Sequence, residues 1–131
     1  MASLRRVLGR VAFFYQEKLV KTYHGYREMR RGHEGRCVVD VISNPLGADR
    51  KRRHLRPRRD IRNHSPDGFE WGYSGSGPAQ LALALVADCC SERMAVPSIY
   101  QRVKNMLISG LPSEGWTLTE EEVRAAVSEA C

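Results

Sequence analysis

Hydrophobic and polar positions alternate with a period of two in two short segments of the first half of the chain. The segments TYHGYREM (22–29) and RCVVDVI (36–42) are rich in aromatic and β-branched residues, which favour strands. Gly32 and Gly35 lie between the segments and suit a tight turn. The pattern predicts an antiparallel β-hairpin.

A third strand is predicted over the segment GFEWGY (68–73). Alternate residues of a strand share a face, so three aromatic side chains would project together: Phe69, Trp71 and Tyr73. The region before this segment, residues 44–67, is interrupted by prolines and glycines and is predicted to be a loop.

The segment AQLALALVADCC (79–90) is apolar at nearly every position. A helix that is apolar all round is buried, so we expect this helix at the centre of the domain. Pro78 is suited to be its first residue. Gln80 is its only polar residue before Asp88.

Two further helices are predicted toward the C-terminus. The first has apolar residues at helical spacing, namely Ile99, Val103, Met106 and Leu107. The second opens at TLTEEEV (117–123), where Thr119 and Glu122 fit a capping box. Together the elements predict an α+β fold, in which a small antiparallel sheet of about three strands is packed by the central helix and two or three further helices.

The length of 131 residues indicates a single domain. We assign this domain to residues 21–131, with a basic loop at 44–67. Residues 1–20 form either an amphipathic helix packed on the domain, a membrane-surface or targeting helix, or an extension of the chain. No apolar run reaches the roughly 18 residues that a transmembrane helix needs, so no transmembrane segment is expected.

The net charge of +6 is distributed unevenly. Residues 1–62 carry 17 Lys and Arg against 6 Asp and Glu, whereas residues 63–131 carry 4 against 9. Eight cations lie in residues 50–62, here called the basic arm: Arg50, Lys51, Arg52, Arg53, Arg56, Arg58, Arg59 and Arg62. So basic a stretch belongs at the surface. It is either neutralised by the acidic second half or available to a polyanion, such as nucleic acid or an acidic protein surface.

The glycine-rich loop before the central helix allows two interpretations. Gly72 and Gly77 have the spacing of a phosphate-binding P-loop, but Pro78 and Ala79 replace the lysine and the hydroxyl residue of that motif. Nucleotide hydrolysis is therefore not expected. The glycines either allow the helix to lie close to the sheet, or they bind a small anion through the backbone amides of Gly75, Ser76 and Gly77.

Glu70 is the carboxylate within this segment and a weak catalytic candidate. It either pairs with an arginine such as Arg27 or accepts backbone N–H groups, or it acts as a general acid or base near His64 and Ser65. No second catalytic group can be assigned from the sequence. A protein that is not an enzyme is therefore the favoured interpretation.

The four cysteines lack the paired spacing of a zinc site. No secretory signal is recognised, and reduced thiols in a cytoplasmic protein are therefore expected. The sequence predicts no bound metal and no cofactor.

The motif SPDGFEWGYSGSGPAQLALAL (65–85) lies between a Y-x-G-x-R pattern at 23–27 and a W-x-L-T pattern at 116–119. Together these segments resemble a small uncharacterised family of bacterial and phage proteins, a domain of unknown function. The resemblance implies no particular activity. It implies that the protein originates from a bacterium or a mobile element. Small proteins of such elements act as accessory factors or as inhibitors of host defence, such as anti-CRISPR proteins.

The leading hypothesis is a non-enzymatic basic protein that contacts nucleic acid or another polyanion through the basic arm. One alternative is a phage- or plasmid-encoded inhibitor of the anti-CRISPR type, which would bind an acidic face or a nucleic-acid channel of a host defence complex. The other is a small-anion sensor or enzyme that uses the glycine-rich loop. The sequence does not specify an oligomeric state.

Overall fold

The computed structural model describes residues 20–131, so the helix or extension predicted over residues 1–20 lies outside the described residues, apart from Val20. The described chain forms a four-stranded sheet and three α-helices, which confirms the α+β prediction with one more strand than expected. The strands are β1 (Lys21–Arg27), β2 (Cys37–Ser43), β3 (Lys51–His54) and β4 (Gly115–Thr119). The helices are α1 (Ser76–Cys89), α2 (Pro97–Val103) and α3 (Glu120–Ala130).

The sheet is antiparallel and has the strand order β3-β2-β1-β4. β1 and β2 form the predicted hairpin, in which Tyr23 lies opposite Val41. Gly32 and Gly35 in the connection have φ angles of +85° and +81°. Glycine adopts this left-handed region without a steric penalty, so the two glycines make the tight return of the chain possible.

Two strands lie where the sequence analysis predicted none. β3 lies within the predicted loop 44–67, and its four side chains are all exposed. No apolar alternation marks β3, because it is an edge strand of charged residues. β4 lies directly before the last helix, and its Leu118 lies opposite Tyr23 of β1. Residues 117–119 of β4 lie in the segment that was predicted to open the last helix, because the capping box there is a stronger pattern than five alternating residues.

The strand predicted over GFEWGY is wrong, because residues 68–73 pass through an irregular bend and pair with no strand of the described chain. Trp71 is buried as the alternation predicted, but Tyr73 is 50% exposed. Gly72 explains the difference. Its φ of +87° turns the chain, and its N–H donates to the carbonyl oxygen of Ile108 in the helical layer.

The helix α1 is buried, as its apolar composition predicted, and every residue from Gly77 to Ala87 belongs to the interior. The helix begins at Ser76, two residues before the predicted start at Pro78. Proline is tolerated in this first turn because the N–H groups there have no acceptor within the helix. Sheet side chains such as Tyr23 and Val41 complete the same core cluster.

The helix predicted next divides into α2 and a π-helical turn at Lys104–Ile108. The wider turn leaves Met106 of the predicted apolar stripe at the surface and buries Ile108. α3 begins after Thr119, whose hydroxyl accepts a 3.1 Å hydrogen bond from the N–H of Glu122 in the predicted capping box. Among residues 20–131, no helix has the length and apolar character needed to cross a membrane.

Candidate functional site

One buried side chain, Gln80 on α1, fixes the backbone of the basic arm. Its amide nitrogen donates to the carbonyl oxygens of Pro57 (2.6 Å) and Arg62 (3.0 Å). Its amide oxygen accepts from the backbone N–H groups of His64 (2.7 Å) and Ser65 (3.1 Å). The side chain thereby makes four hydrogen bonds, the full capacity of an amide. The arm is therefore anchored to the central helix.

On the outer face of β3, at the start of the arm, two side chains bind a buried carboxylate. Asp40 on β2 lies opposite His54 and is only 3% exposed. Arg52 donates from Nε to Oδ2 of Asp40 at 2.7 Å, and Nδ1 of His54 lies 2.6 Å from Oδ1. The hydrogen bond to Asp40 raises the pKa of Arg52. Two exposed basic side chains thus bind a carboxyl group that solvent barely reaches.

The inner face of β3 is attached to α1 through Asp88. Arg53 donates to Oδ1 of Asp88 at 2.7 Å, while Lys21 (3.3 Å) and Tyr23 (2.9 Å) donate to Oδ2. Burial acts to raise the pKa of Asp88, but these donors outweigh burial and lower the pKa. Asp88 is therefore an ionised group whose charge is balanced within the fold.

Arg58 in the second half of the arm has a left-handed backbone, with a φ of +58°. This conformation is uncommon for a residue with a Cβ atom. Its guanidinium lies 3.0 Å from both carboxylate oxygens of Asp60 and also contacts Glu92. The hydrogen bonds to Asp60 and then to Glu92 raise the pKa of Arg58. Arg58 therefore links the arm to the turn after α1.

The other five cations of the arm have no carboxylate within ion-pair distance among residues 20–131. One of them, Arg59, donates instead to the backbone carbonyls of Ser65 and Pro66. All five are exposed, namely Arg50, Lys51, Arg56, Arg59 and Arg62. The arm therefore contains three cations that tie it to the fold and five whose charge is not balanced by a neighbouring described carboxylate.

A cleft with a volume of about 200 Å³ lies between the arm and α1. Its lining comprises three arginines, two apolar side chains and one carboxylate, which are Arg53, Arg56, Arg58, Leu55, Ala84 and Asp88. The cationic surface of the arm therefore has a concave part as well as an exposed edge.

The glycine-rich loop is tightly packed at the start of α1. Gly75 is the N-cap, and no described side chain caps the helix. A Cβ added at Gly77 would lie 2.6 Å from Cβ of Glu70, and one added at Gly75 would lie 2.6 Å from the ring of Tyr73. These distances show that the start of α1 lies close to the preceding segment 68–73, and not to the sheet as the first interpretation expected. Anion binding by the amides of Gly75, Ser76 and Gly77 stays a prediction.

Glu70, the weak catalytic candidate, is bound by Arg27 on β1. The guanidinium donates two hydrogen bonds of 3.2 Å, one to each carboxylate oxygen, and the N–H of Trp71 lies 3.3 Å from Oε1. Burial acts to raise the pKa of Glu70, but these hydrogen bonds lower it. Arg27 also lies 5.2 Å above the ring of Trp71, a cation–π contact. The structure thus contains both the arginine pair and the backbone hydrogen bond that the sequence suggested.

No hydrogen bond joins His64 or Ser65 to Glu70 within residues 20–131. Nε2 of His64 lies 2.6 Å from the hydroxyl oxygen of Tyr100. Burial lowers the pKa of His64, and the nearby charge of Arg62 adds to the effect. The Ser/His/Glu cluster considered from the sequence is therefore not assembled.

The cysteines are free thiols. Burial raises the pKa of Cys37 and of Cys89 to about 12, so both are protonated at neutral pH and are poor nucleophiles. In the part of the chain that the structure describes, no cluster of three or more His, Cys, Asp or Glu side chains could hold a metal ion.

Three residues that organise this surface were not identified as site residues from the sequence: Gln80, Asp88 and Asp40. The signal for them was a polar residue among apolar neighbours, because a buried polar group requires partners. Most of their partners lie in the arm or directly after it, and no sequence pattern identified these partners, because the pairing of β3 with β2 was not predicted.

The model of DUF6166, a family of unknown function, matches residues 23–129. The matched range contains the basic arm, the glycine-rich loop and α1, so the surface described above belongs to the family's domain. No curated protein and no solved structure matches the chain.

Proposed function

We propose that this chain, which belongs to the DUF6166 family of unknown function, binds nucleic acid by contacting its phosphates with the basic arm. The observation that carries the proposal is the group of five exposed cations without a described carboxylate partner, on a backbone held by Gln80. Arginine suits this role because its planar guanidinium donates two parallel hydrogen bonds to one phosphate.

The anchoring of the arm supports binding in a second way. Ordering a flexible segment opposes association, because the conformational freedom of that segment is lost. Gln80 and the pairing of β3 with β2 have already ordered the arm in the unbound chain. The backbone positions from which its cations project are therefore fixed before a partner binds.

The surroundings of the candidate catalytic groups favour binding over catalysis. Glu70 is held by Arg27, and His64 lies beside the hydroxyl of Tyr100. Each group thus has a structural partner in the folded chain. A non-enzymatic role is accordingly part of the proposal.

A salt titration with three proteins tests the proposal. The first is the wild type, the second carries Arg50→Gln, Lys51→Gln and Arg62→Gln, and the matched control carries Arg31→Gln, Arg93→Gln and Arg102→Gln. The two variants have the same net charge, and all six substituted side chains are exposed. Each lost phosphate contact reduces the dependence of log K on log salt by about 0.9 on duplex DNA.

The arm variant should therefore lose about two to three units of that slope, whereas the control should retain most of it. Equal effects of the two variants would show that binding depends on net charge and not on the basic arm, which would contradict the proposal. Absence of binding to both DNA and RNA by the wild type at about 50 mM salt would reject it.

An acidic protein surface is the second candidate partner. The chain would then be an inhibitor that a phage or plasmid encodes and that binds a host defence complex. The observation that favours it is that Arg53 and Arg58 already bind carboxylates of the chain itself. A partner that is captured from a host lysate after nuclease treatment, and is lost with the arm variant, would support this candidate over nucleic acid.

A further inference from the structure

We infer that the cleft between the basic arm and α1 binds the terminal phosphate monoester of a nucleic acid strand. This inference rests on the proposed function, since the rest of the strand would lie along the exposed cations of the arm. It assigns a ligand to a concave site lined by Arg53, Arg56 and Arg58.

The lining of the cleft attracts an anion such as a phosphate monoester. Its three guanidinium groups and the carboxylate of Asp88 sum to a formal charge of +2, of which Asp60 and Glu92, which contact Arg58 from outside the lining, offset a part. A monoester carries about −1.5 to −2 at neutral pH, whereas an internal phosphodiester carries −1. The charge of Asp88 is balanced by Lys21 and by Arg53, so it opposes an incoming anion only weakly.

The shape of the cleft also favours the end of a strand. The cleft is about 200 Å³ in volume and lies between the arm on one side and α1 on the other. Ala84 leaves space at the wall formed by α1, and Leu55 supplies an apolar surface. A projecting phosphate group enters such a concave space readily, whereas an internal phosphate must bring the chain in and out on both sides.

Arg56 is the residue that distinguishes this site from the rest of the arm. Arg53 binds Asp88 and Arg58 binds Asp60 and Glu92, so both have structural roles. Arg56 lines the cleft, is exposed, and has no carboxylate partner among residues 20–131. Its guanidinium is therefore the group with most donors to offer to a phosphate.

The test compares two short single-stranded oligonucleotides of one sequence, one with a 5′-phosphate and one with a 5′-hydroxyl, by fluorescence anisotropy. The wild type should bind the phosphorylated strand at least about fivefold more tightly, because charge-assisted hydrogen bonds to a dianion are strong. Arg56→Gln should reduce this ratio to near one. The matched control, Arg62→Gln, should weaken the binding of both strands by the same factor and leave the ratio unchanged.

Inorganic phosphate provides a second readout, since it should compete with the phosphorylated strand in the wild type and not in Arg56→Gln. A ratio near one in a wild type that binds both strands would overturn the terminal-phosphate site and leave the proposed function standing. A ratio that falls equally in the Arg56 and Arg62 variants would also overturn it. Failure of the wild type to bind either strand would reject both proposals.

Discussion

The amide nitrogen of Gln80 lies 2.6 Å from the carbonyl oxygen of Pro57, and this bond connects the most buried helix of the domain to its most basic segment. Gln80 is fully buried, and its other hydrogen bonds reach Arg62, His64 and Ser65. The polar residue in an otherwise apolar helix is thus explained by the backbone groups that it satisfies.

Replacement of Gln80 by methionine should destabilise the fold and release the arm. The change preserves size but leaves two carbonyl oxygens and two N–H groups without their partner, and we expect a loss of about 2–4 kcal/mol in the free energy of unfolding. Urea denaturation measures the loss, and trypsin should cleave after Arg58, Arg59 or Arg62 faster than in the wild type. The control Gln101→Met, at a half-buried position on α2, should change stability by less than about 0.5 kcal/mol.

The close packing of the glycine-rich loop predicts the effect of a single methyl group. Gly77→Ala should lower the free energy of unfolding by about 1–3 kcal/mol, because the new Cβ would lie 2.6 Å from Cβ of Glu70. Gly110→Ala is the control, since a Cβ there meets nothing within 4 Å. Thermal denaturation of both variants checks the prediction, which fails if Gly77→Ala is as stable as Gly110→Ala.

The ion pairs of Asp88 should make the stability of the protein sensitive to acid. The pKa of Asp88 is lower in the fold than its ordinary value of 3.8, so its stabilising contribution is present above that pH and is lost as the pH falls through the folded pKa. Asp88→Asn should be less stable than the wild type at pH 7, and the gap should narrow below about pH 4. Urea denaturation at several pH values measures the gap. A gap that stays constant down to pH 2 would contradict the prediction.

Protonation of His64 should make the free energy of unfolding depend on pH in the neutral range. Burial lowers its pKa below 6.5, so the fold favours the neutral imidazole, and stability should fall as the pH drops below that value. An NMR titration of the imidazole should place its pKa below 6.5. The variant His64→Gln should have a flatter dependence of unfolding free energy on pH between about 7.5 and 5.5 than the wild type.

The elements that the sequence predicted correctly are those with a strong local pattern. The hairpin of β1 and β2 alternates clearly, α1 is continuously apolar, and the capping box at Thr119 marks the start of α3. The two strands that were missed, β3 and β4, are short edge strands. Their place in the sheet depends on pairing with distant residues, and single-sequence patterns do not contain that information.

The candidate site was predictable in its charge and not in its arrangement. The eight cations of the basic arm are evident from the sequence, and so is the isolation of Gln80. Which arginines are tied to carboxylates depends on the register that places His54 opposite Asp40 and directs Arg53 toward Asp88. That register follows from the tertiary fold and decides which cations remain for a partner.

The position of β3 at the margin of the described sheet has a consequence for self-association. An unpaired strand edge is a template on which another chain can add a strand. Here the edge is four residues long and consists of Lys51, Arg52, Arg53 and His54, all exposed. A second molecule approaching edge to edge would place these basic side chains beside one another, so this edge of the sheet opposes pairing with a second copy.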